Sequence, residues 1–167
     1  MSTQQASVRV QSWSMPLPRW DLAWEPRVRR GQLTTDRTGK PRRERKVWDA
    51  LSGNARSAHW SARAKATREV QEAVSLLARA RGLHRITDAT FVDVRLVWGP
   101  GDHRRADAAN LAPLVKAAAD ALARGRRDLP GLQLVPDDTD RWMRQTPAIV
   151  RPPHPAGLWL EVTVSRG

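Results

Sequence analysis

Across residues 103–138 the chain sets aspartates on both sides of one short helix rich in alanine and leucine, and this constrains the fold more than any other feature. Asn110 can cap the helix by accepting a first-turn N–H, and Pro113 falls where a missing N–H costs no helical bond. A helix is therefore predicted from Leu111. Leu111, Leu114, Val115, Ala118 and Leu122 share one stripe at about 100° per residue, while Lys116 and Asp120 lie one turn apart on the opposite side. Gly125 can supply the left-handed residue that ends the helix. A loop follows, and the apolar run 132–135 then reads as a short strand. Such a helix–turn–strand unit would bring Asp107 towards Asp137 and Asp138, whose carboxylates suit a hard cation such as magnesium. Each residue also has a plainer reading. Asp107 can simply favour the positive end of the helix dipole, Asn110 can only cap, residues 137–139 can be an ordinary turn, and Lys116 with Asp120 a solvated helical pair.

The formal charge of +12 on 167 residues makes nucleic acid the default partner. No apolar run reaches the roughly 18 residues of a membrane span, and no signal-peptide core is present, so a cytoplasmic protein without a membrane partner is expected. The absence of cysteine excludes disulfides, thiol nucleophiles and cysteine zinc sites. His59, His84, His103 and His154 are scattered without ligand spacing.

Three regions are expected. Residues 1–26 form an N-terminal extension rich in Pro and Trp, either packed over the core or used as an edge strand. Its Trp13, Trp20 and Trp24 could stack on bases, although a chain with one Phe and no Tyr needs Trp for its core. Residues 27–46 hold nine basic and two acidic residues with almost no apolar periodicity, which reads as a flexible basic arm or long loop suited to phosphates. Its alternative is a solvated tail. Residues 47–167 form the main domain. A helix is predicted over about 61–81, stopped by Gly82, with Ala66, Val70, Ala73, Val74 and Leu77 inward and Lys65, Arg68 and Arg79 outward. Strands are predicted over 89–98, 141–150 with a bulge at Pro147, and 158–165. The fold class is therefore α/β (α+β), a small mixed sheet with two main helices packed on it.

The sequence Asp107-x-x-Asn110-Leu111, the helical Lys116 and Asp120, and the Asp137-Asp138 pair together resemble the RusA family of Holliday junction resolvases. Asn54-Ala55-Arg56 followed by His59-Trp60 is similar to that family's segment before its first helix. Ala109 stands where the family pattern usually has a second aspartate. The resemblance implies a magnesium-dependent endonuclease, with manganese as a substitute, that acts on four-way DNA junctions as a homodimer. It implies Asp107 and Asp138 as metal ligands with Asp137 beside them, Lys116 as the group that neutralises phosphate, and Asn110 and Asp120 as structural neighbours. DNA would be held by Arg56, Arg104 and Arg105 with Arg42, Arg43, Arg45 and Lys46 of the arm. Two alternatives remain open, a junction- or other DNA-binding protein of the same fold with weakened catalysis, and a basic RNA-binding or protein-interaction module.

Overall fold

The structure, a computed structural model, describes residues 8–52, 59–101, 107–151 and 155–167. Strand β1 spans Arg9–Pro16, β2 Ala89–Gly99, β3 Met143–Val150 and β4 Gly157–Arg166. Helix α1 spans Lys46–Leu51, α2 Trp60–Ala80 and α3 Ala112–Leu122. The four strands form one mixed sheet in the order β1-β4-β2-β3. The first two pairings are antiparallel, with Trp13 opposite Val162 and Leu160 opposite Leu96, whereas β2 and β3 run parallel. A parallel pair needs a crossover, and α3 supplies it. The result is a mixed α+β fold.

Period-two alternation decides which sheet face is covered. Val92, Val94, Leu96 and Trp98 of β2 are buried together with Leu158, Leu160, Val162 and Val164 of β4. They meet Ala66, Val70, Val74 and Ala78 of α2 and Leu114, Val115, Ala118 and Leu122 of α3 in one core. Each fully buried Leu or Val contributes about 1.5–3 kcal/mol, so this stripe-on-face contact is the main stabilising force. The expected break at Pro147 is present as a register shift where β3 pairs with β2 between Arg95 and Val97. Gly82, at φ 80°, follows the end of α2. Among the described residues no helix is long and apolar enough to cross a membrane.

The N-terminal extension is part of this core rather than an appendage. β1 is an edge strand of the sheet, and Met15, Leu17 and Trp20 are buried in the common core. Trp13 is half-buried and Trp24 exposed, the latter lying 4.6 Å under the Arg45 guanidinium. At the end of this segment Asp21 is only 2% exposed. Arg19 donates to its two oxygens at 2.8 and 2.7 Å, and the Trp98 indole donates at 2.9 Å.

The basic stretch also departs from its expected form. Instead of an irregular arm, the backbone pairs with itself, Glu25–Pro26 with Arg43–Glu44 and Val28–Arg29 with Gln32–Leu33, with a further bridge from Thr35 to Pro41. Such pairing needs few apolar residues because backbone hydrogen bonds and tight turns supply it, so hydrophobic periodicity could not reveal it.

Candidate functional site

The predicted helix begins later than Leu111, and Asn110 is not its cap. A 3-10 turn over Ala108–Leu111 comes first, and Asp107 caps that turn by accepting from the Ala109 N–H at 2.9 Å. α3 then starts at Ala112 with Leu111 at the capping position and no side-chain cap. Pro113 near the helix start removes one N–H that would lack a partner in any case.

The run 132–135 is not a strand. Its N–H groups instead bind the last carbonyls of α3, from Leu132 to Ala121 at 2.7 Å, from Gln133 to Ala123 at 2.9 Å and from Leu134 to Leu122 at 3.0 Å. Orphan carbonyls at a helix C-terminus need such donors. The chain can approach so closely only because residue 131 is glycine, since a Cβ there would lie 2.1 Å from the Ala123 oxygen. Leu132, Leu134 and Val135 are buried by the contact, and the next residues, Pro136, Asp137 and Asp138, are thereby carried back along α3.

At that point a cleft of about 350 Å³ opens, lined by Lys116, Asp120, Ala123, Arg124, Gly125, Pro136, Asp137 and Asp138. The Lys116 ammonium bridges two carboxylates, donating to Asp120 Oδ1 at 2.7 Å and to Asp138 Oδ2. The first contact is the helical i,i+4 pair, and the second joins residues 22 positions apart. Gln145 of β3 donates to Asp138 at 3.2 Å, and the buried Gln71 of α2 reaches Asp120 at 3.5 Å, the outer limit of a hydrogen bond. Asp137 accepts from the Asp138 N–H at 2.7 Å. Burial works to raise the Asp138 carboxyl, but the Lys116 hydrogen bond and charge outweigh it and hold the group below the usual carboxylate range. Burial also opposes the charge of Lys116, yet its bonds to Asp120 and Asp138 hold the ammonium above the ordinary lysine value. Lys116 and Asp138 therefore hold each other in the charged form at neutral pH. Because Lys116 is still 52% exposed, water screens the cluster and it adds little to stability.

The structure thus brings together Lys116, Asp120, Asp137 and Asp138, whereas Asp107 does not line the cleft. Among the described residues no three His, Cys, Asp or Glu side chains are grouped as metal ligands. The two carboxylates that meet the Lys116 ammonium, Asp120 and Asp138, are hard oxygen donors of the class a divalent ion takes. Asp107 and Asp137 each spend one oxygen on a backbone N–H.

Of the expected DNA contacts, Arg42 and Arg43 are exposed on the ribbon. Arg45 is instead committed to the fold. Its guanidinium binds Asp49 at 2.9 Å and the Asp21 carbonyl at 3.2 Å while stacking on Trp24. Lys46 opens α1 and is paired with Glu25. Arg56, Arg104 and Arg105, like Asn54 and Ala55, lie outside the described residues. Arg124, Gln145 and Gln71 also stand at the cluster, and no motif announces the first two. Gln71 did carry a signal, as a glutamine beside Val70 on the inward stripe of α2. The chain matches no protein-family model and no curated protein.

Proposed function

We propose that the protein is a magnesium-dependent endonuclease of the RusA type acting on four-way DNA junctions. The observation that supports this most is the convergence of Lys116 and Asp120 of α3 with Asp138 in one open cleft. Asp138 would hold the ion with Asp137 beside it, Asp107 would have to turn from its bond to the Ala109 N–H to join them, and manganese would substitute. A bound magnesium would supply activation of water and stabilisation of charge on the scissile phosphate. Lys116 would exchange a carboxylate for a phosphate oxygen, and Gln145 would keep Asp138 oriented. Exposed basic residues of the ribbon, with Arg124 at the cleft rim, would hold the DNA backbone. Homodimerisation follows from the substrate, since two symmetric strands must be nicked. A cytoplasmic location is part of the same reading.

A second reading is favoured by one observation, the lack of a three-acid group among the described residues. On that reading the chain binds junctions and cleaves them poorly, the position of Ala109 accounting for the weakness. Incubating a synthetic junction with and without magnesium separates the two. Paired symmetric nicks that need the metal support the nuclease, while retention on a gel without nicks supports the binder.

Ala109→Asp sharpens the comparison. Ala109 is exposed, so a carboxylate fits there without repacking. If the wild type merely lacks a ligand, Ala109→Asp should lower the magnesium concentration for half-maximal cleavage by about 10-fold, the scale of a metal-site contact. If Asp137 already fills that role, the added charge crowds carboxylates together and brings no gain. A magnesium titration of both proteins on the same junction reads the difference.

A further inference from the structure

The basic ribbon has an exposed tip whose chemistry exceeds what phosphate attraction requires. Arg29 and Gln32 are paired, and the intervening Arg30 and Gly31 have φ of 52° and 78°. Positive φ at both central residues is the requirement of a type I′ turn, for which Asn-Gly is the favoured pair. Arg30 therefore stands where its Cβ is crowded by the backbone and where Asn would be easier. Beside Gly31 a Cβ would meet nothing within 4 Å, so the turn projects into open space. Behind the tip Val28 and Leu33 are cross-strand partners on one side of the ribbon and are 54% and 60% exposed. No salt bridge among the described residues engages Arg29, Arg30 or Arg37.

An apolar pair set directly behind an arginine tip, on a strand edge, is a liability to an isolated protein. It has a use against DNA, where arginines meet phosphates and apolar wedges pack on base faces that have lost a stacking partner. We propose that the hairpin 28–33 is a branch-point wedge. Arg29 and Arg30 contact the phosphates flanking the crossover, and Val28 and Leu33 pack on the base faces left exposed there. The inference rests on branched DNA being the partner. It adds how a branch would be distinguished from linear duplex, by shape and exposed bases rather than by sequence.

The test is equilibrium binding without divalent metal, to a four-way junction carrying 2-aminopurine at the branch and to a linear duplex of equal length. Arg30→Asn keeps the turn in its favoured chemistry, so it removes the cation alone. It should weaken junction binding several-fold and reduce the slope of log affinity against log salt by about one. The double variant Val28→Thr/Leu33→Thr keeps the β-forming character of the ribbon. It should retain the salt slope but lose the preference for junction over duplex, together with the fluorescence rise of unstacked 2-aminopurine. Wild type that binds junction and duplex equally, or a double variant that keeps the preference, overturns the wedge while leaving cleavage untouched. Arg30→Asn with unchanged affinity and slope overturns the role of the tip. Wild type that binds neither DNA overturns the wedge and the nuclease reading together.

Discussion

Asp138→Asn is expected to abolish cleavage of a four-way junction and leave binding of that junction within about twofold. The carboxylate sits where α3 and the returning chain meet, with Lys116 on one oxygen and Gln145 beside it. Removing even an outer partner of a metal site costs about 10–100-fold, and losing a ligand should cost more. Asn keeps the shape of the side chain and changes the net charge by one on a chain of +12, so the field that attracts DNA barely changes. Lys116 keeps Asp120 as a partner, so the cleft should not collapse. Cleavage and gel-shift assays on one preparation separate the two effects. Full cleavage by the variant would remove Asp138 from the catalytic role.

The largest effect on stability is expected far from that cleft. Asp21→Ala should destabilise the fold by about 2–4 kcal/mol, because the buried Trp98 N–H is left without its acceptor and the half-buried Arg19 loses its partner charge. Arg19 would lose both of its hydrogen bonds, and the Trp98 indole would lose its acceptor. Trp98 also packs at 4.7 Å against Trp48 of α1, so the same change loosens the junction of β2, α1 and the N-terminal segment. A domain of this size has roughly 5–15 kcal/mol in all, so such a loss is a large fraction of it. Urea unfolding followed by Trp fluorescence gives the value. A change below about 1 kcal/mol would mean that Asp21 does not secure the extension to the core.

The parts of the fold that were legible are those with a strong period. The stripe from Ala66 to Leu77 and the alternation from Val92 to Trp98 each bury one face, and α2 and β2 follow from them. Elements built by backbone hydrogen bonds were not legible. The ribbon of residues 25–44 depends on turns at Arg30-Gly31 and near Gly39, and its apolar content gives no warning of pairing. The run 132–135 is apolar and short, as a strand would be, but the N–H groups of Leu132, Gln133 and Leu134 are drawn to the carbonyl end of α3 instead. Asp107 displaced Asn110 as a cap because the chain makes a 3-10 turn before the α-helix. In the site, Lys116 and Asp120 could be paired from their spacing alone. The arrival of Asp138 on the same ammonium could not, since it depends on Gly131 letting two backbones touch.

We propose that this cleft holds a divalent metal through Asp138. Diffraction from crystals soaked in manganese, with anomalous scattering to locate the ion, tests it most directly. The account predicts an anomalous peak within coordination distance of Asp138, with a carboxylate oxygen of Asp107 or Asp137 turned towards it and the Lys116 ammonium displaced from Asp138. A cleft without manganese, in which Lys116 still bridges Asp120 and Asp138, would contradict it.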